Sequence, residues 1–322
     1  LNWKTLLKGE LTDWLMGSEP WVVYRTLTDL LGKDETDVAV SAAKIAIPAH
    51  PLIKRIFGGL NRDGYWGGPS DIHTWWPRKE TTFWLLPILA DFGFDVGDEK
   101  MARACEYVLG TQLSSDGFGW SPPTWPGDCH SAIITESLSK LGLLDDPRVQ
   151  RAYEWLMKRQ RSDGGFWCKD TGQIGQPREK EPSCAMATMF VLGALAQNPG
   201  LRDTEVAQRG VDFLFECHEK RGKIRYAGHD SQIGRDWEKL KYPFTDYKIL
   251  KFLDVLSQFE CARERLQGSE MLDLLLSKRD EDGRFTPESI HKTWSDFDFG
   301  QKEEPSRWIT LLSLRIVKRI WG

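Results

Sequence analysis

Histidine is the one side chain that titrates near neutral pH without help from its surroundings, and His130 stands where it could use that property. It closes the string Gly127-Asp128-Cys129-His130, at the head of a long apolar stretch. Beside Asp128 or Glu80 such an imidazole could work as a general base, so His130, Asp128 and Glu80 form the candidate catalytic set. Cys129 and Cys184 each open an apolar stretch and offer thiolates that suit zinc; they read equally as small buried packing residues. Trp76, Phe83, Trp84, Trp125, Tyr247, Arg307 and Trp308 fall at comparable places in other segments. These are the candidate ligand-binding residues, able to line an apolar pocket or a sugar-stacking floor, and able also to serve as plain ring packing. His73 and the pair His229-Asp230 lie in polar loop stretches with no further signal.

These residues owe their positions to a repeat. Asp63-Gly64-Tyr65-Trp66, Asp116-Gly117-Phe118-Gly119-Trp120 and Asp163-Gly164-Gly165-Phe166-Trp167 are near-copies; Asp282-Gly283-Arg284-Phe285 is a fourth and Gly222-Lys223-Ile224-Arg225-Tyr226 a worn fifth. A period of about 50 to 60 residues signals stacked supersecondary units. Aspartate and glycine suit a tight turn, and the aromatic can pack back on a neighbouring helix. An amphipathic stretch precedes most turns, as in 101–112, 147–160, 204–217 and 269–277. A more apolar stretch follows: 82–92, 129–141, 184–195, 245–256 and 306–317. Residues 3–16 and 22–31 supply a sixth, atypical pair. Prolines 77, 126, 182, 243 and 305 mark the starts of the apolar helices, where a missing N–H costs nothing. The pattern predicts an all-α chain of six outer/inner helix pairs, one domain over residues 1–322, with the inner-helix N-termini sharing one mouth. Partial positive charge at those N-termini accounts for Glu19, Glu181 and Glu304 beside the prolines without a functional role.

Bulk composition narrows the partners. The net charge of −4 argues against a general nucleic-acid binder. No apolar run is long enough to span a membrane. Six cysteines, placed singly and without a CxxC pair, fit a cytoplasmic protein. Fifteen tryptophans, many in or beside the turns, suggest walls of aromatic faces. Nothing in the sequence sets the oligomeric state.

The strings Gln112-Leu113-Ser114-Ser115-Asp116-Gly117-Phe118-Gly119-Trp120 and Gln160-Arg161-Ser162-Asp163-Gly164-Gly165-Phe166-Trp167 resemble the QW-type repeat of squalene–hopene cyclases and related terpene cyclases, which also runs through protein prenyltransferase β subunits. The resemblance implies an (α/α)6 toroid and an apolar, isoprenoid-type ligand. It also implies an acidic DxDD motif for proton-initiated cyclisation, and this chain departs from it: Gly127-Asp128-Cys129-His130 carries a single carboxylate, and Asp296-Phe297-Asp298 lacks the final pair. Resemblance to the prenyltransferases implies zinc held by Asp, Cys and His; here Asp128 and Cys129 are adjacent rather than one residue apart. A carbohydrate-active α/α enzyme, lyase or hydrolase, working through paired carboxylates, and a non-catalytic interaction scaffold are the alternative readings of the same fold.

Overall fold

The computed structural model describes residues 3–7, 9–75, 80–120, 125–167, 180–221, 223, 236–244 and 247–322. Among these, fourteen α-helices follow in chain order: α1 Gly9–Met16, α2 Pro20–Arg25, α3 Val38–Ala46, α4 Pro51–Gly58, α5 Thr82–Phe92, α6 Glu99–Leu109 and α7 Asp128–Leu138, then α8 Pro147–Met157, α9 Ala185–Leu195, α10 Glu205–Glu219, α11 Ile249–Leu256, α12 Glu260–Leu266, α13 Glu270–Ser277 and α14 Arg307–Trp321. A π-turn, Thr26–Leu30, extends α2. The single ladder among the described residues pairs Gly119–Trp120 with Trp125–Pro126 over two residues, so the fold class is all-α. No helix among the described residues is long and apolar enough to cross a membrane.

All six expected apolar helices are present, as α2, α5, α7, α9, α11 and α14. The last five are buried along most of their length and α2 along half of it; every residue of α7 is buried. The amphipathic α6, α8 and α10 bury one stripe only, as the 3.6-residue period requires. Side-chain caps start many of them: Asp98 accepts from Met101 N–H, Asp146 from Arg148 N–H and Thr204 from Ala207 N–H. Pro126, Pro182, Pro243 and Pro305 lie upstream of the first turn of α7, α9, α11 and α14 rather than in it, whereas Pro20 opens α2 and Pro77 lies outside the described residues. Cys184 and Ser306 take the cap positions of α9 and α14, one or two residues after Pro182 and Pro305. The short helices α3 and α12 have no counterpart in the sequence pattern.

The described residues form two compact units, one of residues 1–58 with 236–322 and one of residues 59–235. In the first, α14 packs on α2, α11 and α12, and α11 on α13. In the second, α7 lies between α5 and α9, with α8 and α10 outside them.

The repeated turn has one geometry in four copies. Asn61, Leu113, Arg161 and Asp280 each donate their N–H to the carbonyl four residues on. The residue three positions along has positive φ: Gly64, Asp116, Gly164 and Gly283. The second copy is therefore offset by one from the Asp-Gly alignment, because Asp116 itself takes the left-handed place that glycine holds elsewhere. The next aromatics, Trp66, Phe118, Phe166 and Phe285, are buried. Their N–H groups donate to hydroxyls on the following apolar helices: Thr82 at 2.8 Å, Ser131 at 2.8 Å, Thr188 at 3.0 Å and Thr310 at 2.9 Å. Glutamine ties the turn outward. Gln112 Nε2 donates to Asp116 O and Arg148 O, and Gln160 Nε2 to Gly164 O and Val206 O, so each reaches the first turn of the next outer helix. The fifth, worn turn lies outside the described residues, apart from Lys223.

Gly164 shows why glycine is required. Its φ is +86°, and an added Cβ would stand 2.6 Å from the Arg209 carbonyl oxygen. Gly164→Ala is expected to cost about 1–3 kcal/mol for the backbone conformation, with the clash against α10 in addition. A Cβ added at Gly58 would meet nothing within 4 Å, so Gly58→Ala should be neutral or stabilise by up to about 1 kcal/mol. Urea midpoints at constant m-value separate the two; equal shifts would contradict the close-approach argument.

Candidate functional site

The site in the second unit is built from the N-terminal ends of its apolar helices. Burial on every side leaves α7 no polar face, so a polar residue there is held by its neighbours or left without a partner. His130 is fully buried in the first turn of α7. Its ring stacks on Phe83 of α5, with centroids 4.7 Å apart and planes within 5°. Phe83 in turn lies 5.3 Å from Trp75, and Trp75 lies 6.0 Å from Phe190 of α9. Trp84 Nε1 donates to the Trp75 carbonyl at 3.3 Å, which pins the segment before α5 across the cluster. Three helices and one loop thus converge on a single aromatic wall.

Among the described residues neither nitrogen of His130 makes a hydrogen bond of good geometry, and the Ile72 backbone lies near the ring. Burial, reinforced by the nearby His73, pushes its pKa down from 6.5 to about 3. The imidazole is therefore neutral at physiological pH and a poor base. Trp75 Nε1 is a second buried donor in the same cluster without a hydrogen bond among the described residues. Buried polar atoms are nearly always satisfied, and other exceptions here are Thr81 Oγ1, Thr135 Oγ1 and Trp294 Nε1. His73 Nδ1 is engaged with the Gly119 carbonyl at 2.9 Å.

Asp128 is close to His130 in the chain but is engaged elsewhere. Its Oδ1 receives Arg159 Nε at 2.5 Å and its Oδ2 receives the Trp167 N–H at 3.1 Å. Arg159 also lies 4.4 Å over the Trp155 ring. The carboxylate thereby joins α7 to the end of α8 and to the Gly164 turn. Glu80 lies half-buried just before Thr81, the residue that starts α5. Cys129 is buried in α7, and Cys184 caps α9 with its Sγ accepting from Ala187 N–H at 3.4 Å. Among the described residues no group of three His, Cys, Asp or Glu side chains comes together to hold a metal ion. With Asp128 committed to Arg159 and Cys184 acting as a cap, the residues present do not fit the zinc that the prenyltransferase resemblance implies, and no step is drawn through it. Trp125 lies in the short ladder opposite Trp120. Trp76 lies outside the described residues, as do His229 and Asp230.

Three candidates belong to the first unit. Tyr247 is buried with its ring edge-on to Phe252 at 5.7 Å. Trp308 is fully buried, edge-on to Tyr242 at 5.6 Å. Arg307 donates to the Trp14 carbonyl at 3.1 Å and stacks over the Trp14 ring at 4.9 Å, which ties α14 to α1. Beside them stands Asp298, which in the chain lies several residues before Pro305 and carries no complete acidic motif. A short 3-10 turn, Asp298–Gly300, folds it back onto the start of α14. Its Oδ2 accepts from Ser306 Oγ at 2.9 Å and from Trp308 N–H at 3.0 Å. Burial raises its pKa, with Glu19 adding to the rise, against the lowering by those hydrogen bonds. The Ser at the cap of α14, eight residues on, is the sequence signal that points to it.

Comparison with known proteins bears on this arrangement. The model of the squalene-hopene cyclase C-terminal domain family matches residues 75–249. The β subunit of protein farnesyltransferase from Arabidopsis thaliana is 21% identical over 194 residues, which cover 59% of this chain and 37% of that protein. The match thus spans little over a third of that relative's length. Among solved structures, a protein from Actinoplanes is similar with a TM-score of 0.48 at 14% identity, covering 94% of this chain and 90% of that one. The type II terpene cyclase MstE R337A from Scytonema, in complex with geranylgeranyl dihydroxybenzoate as substrate, has a TM-score of 0.47 at 12% identity, covering 94% and 86%. A family match across more than half of the chain, over a segment that holds two of the four described turns and the aromatic wall, is decisive: the protein, all-α in its described residues, belongs to the squalene-hopene cyclase C-terminal domain family.

Proposed function

We propose that this protein binds an isoprenoid or a similarly long apolar chain against the aromatic wall formed by Phe83, His130, Trp75 and Phe190. The observation that supports it most is His130 itself. A buried imidazole kept neutral and stacked on a phenyl ring adds one more π face without adding charge. Such a wall excludes water and favours positive charge on a bound ligand, because ring faces carry negative potential and a neutral imidazole does not repel a cation. The two donors without partners, on Trp75 and His130, give a polar group of the ligand somewhere to bind. The family supports an apolar ligand class, and a cytoplasmic setting fits singly placed cysteines.

Farnesol and geranylgeraniol are suitable probes, followed by calorimetry and by native mass spectrometry. Binding is expected, with Phe83→Ala weakening it about tenfold or more. Phe83→Leu, which keeps an apolar side chain of similar volume, guards against a folding defect and should weaken binding less. Binding of oligosaccharides in place of these alcohols would favour the carbohydrate reading. Absence of any small-molecule binding would favour the scaffold.

A further inference from the structure

The far end of α14 from Trp308 carries a different chemistry. There, in the first unit, a cavity of about 310 Å³ is lined by Asp29, Arg263, Arg315, Lys318, Arg319 and Gly322. That volume is at the small end of the range for ligand sites. The cavity's residues on α14, Arg315 to Gly322, stand roughly 10–20 Å along the helix from Trp308. It is thus separate from the aromatic and carboxyl groups at the start of that helix.

Four of the six lining residues are cationic, and part of that charge is structural. Arg315 bridges two carboxylates, with Nη1 to Asp29 at 3.1 Å and Nη2 to Asp254 at 2.8 Å. Arg319 Nη1 reaches Asp254 Oδ1 at 2.9 Å and its carbonyl at 3.2 Å. Lys318 Nζ donates to the Asp29 carbonyl at 2.8 Å, and Arg263 Nε to the Ser257 carbonyl at 3.0 Å. These contacts are what basic residues do at helix C-termini, where carbonyls lack partners. They do not exhaust the donors. Both Nη atoms of Arg263 and the Nε and Nη2 of Arg319 are left over among the described residues, and Lys318, which also lies 5.5 Å over the Trp3 ring, has one hydrogen bond. Charge shows the same surplus. Counted over the side chains that line it or pair with its lining, Arg263, Arg315, Lys318 and Arg319 stand against the two carboxylates Asp29 and Asp254. Asp29 adds no slack: burial would raise its pKa, but Arg25, Arg315 and Arg319 together hold it below the usual carboxylate range, so it stays ionised. Arg315 is nine-tenths buried and fixed by two ion pairs, which gives the floor of the cavity a rigid shape. Helix-end carbonyls alone would repel an anion; cations in excess, with forked donors to spare, reverse that preference.

We propose that this cavity is an anion site for a small phosphate-bearing molecule, held by Arg263, Lys318 and Arg319 over the Arg315 floor. It shares no residue with the aromatic wall of the second unit, so it is a second site rather than a holder of the ligand proposed above. The test is calorimetry and thermal unfolding with sodium phosphate against sodium chloride at matched ionic strength. Phosphate should bind and raise the melting temperature beyond chloride. Arg263→Gln and Lys318→Gln, both at half-buried positions, should each weaken phosphate binding about tenfold. Farnesol binding should be unchanged in both, which separates failure here from failure of the apolar site. No phosphate effect beyond matched chloride, or equal affinity in both variants, would overturn the proposal. So would binding to phosphatidylcholine vesicles doped with phosphatidic acid without binding to free phosphate, since the source would then be a lipid headgroup.

Discussion

Between pH 6.5 and about 3 the protein is expected to lose up to about 4–5 kcal/mol of stability through His130 alone. The folded-state pKa of His130 is pushed down to about 3, chiefly by burial, whereas in the unfolded chain it returns to about 6.5. In that window the unfolded state binds one more proton than the native state, so stability rises with pH and falls as acid is added. The slope is about 1.4 kcal/mol per pH unit. Against the roughly 5–15 kcal/mol typical of a folded domain, that loss could unfold the second unit unaided. His130→Leu removes the group. Because the imidazole has no hydrogen bond of good geometry to lose, the variant should match or exceed the parent at pH 7 and pull ahead progressively below pH 6.5. Carboxylates titrate alike in both, so the difference between the two urea curves isolates the histidine. His73 is the titratable neighbour that adds to the shift, and it remains in both proteins. Parallel curves from pH 7 to pH 4 would show that His130 is hydrated or paired in solution.

Periodicity makes the helices legible and leaves their attachments invisible. The six apolar helices can be read because a buried helix needs an unbroken apolar stretch, and the stretches recur at a fixed distance from the turns. The hydroxyl clips cannot. Thr82, Ser131, Thr188 and Thr310 look like ordinary residues of an apolar stretch until the turn N–H is seen on each. Aligning the second turn by its Asp-Gly pair misplaces it by one, because positive φ belongs to a backbone position and Asp116 can occupy it. At the site, residue types are legible and partners are not. His130 stands out as the histidine at a helix start, but its stack on Phe83 joins two helices far apart in the chain, and nothing local encodes it. Asp128 suggests a chemical role through its neighbour in sequence, yet its carboxylate faces Arg159, 31 residues on. Asp298 is set aside in the sequence as part of an incomplete acidic motif, because distance along the chain is a poor guide to distance in space where a 3-10 turn folds the segment back.

Asp128→Asn is expected to cost about 3–5 kcal/mol, although it changes no shape. The Asp128 side chain is fully buried and that of Arg159 is 9% exposed. Removing the negative charge takes from a buried guanidinium the carboxylate it bonds and leaves its desolvation cost in place. The Trp167 N–H can still find the amide oxygen, so the loss belongs to the charge and not to that bond. Arg159→Met at the same time should recover most of it, because Met keeps an unbranched stem over Trp155 and no buried charge remains. The coupling energy of that double-mutant cycle measures the pair directly, and additive single losses would contradict a buried ion pair. The same double variant also decides what Asp128 is for. If it refolds with parental stability and still binds farnesol, the carboxylate is part of the frame that fixes the start of α7 against α8 and the Gly164 turn. If stability returns but binding or turnover does not, Asp128 acts on the ligand, and its bond to Arg159 is what keeps it ionised and aimed.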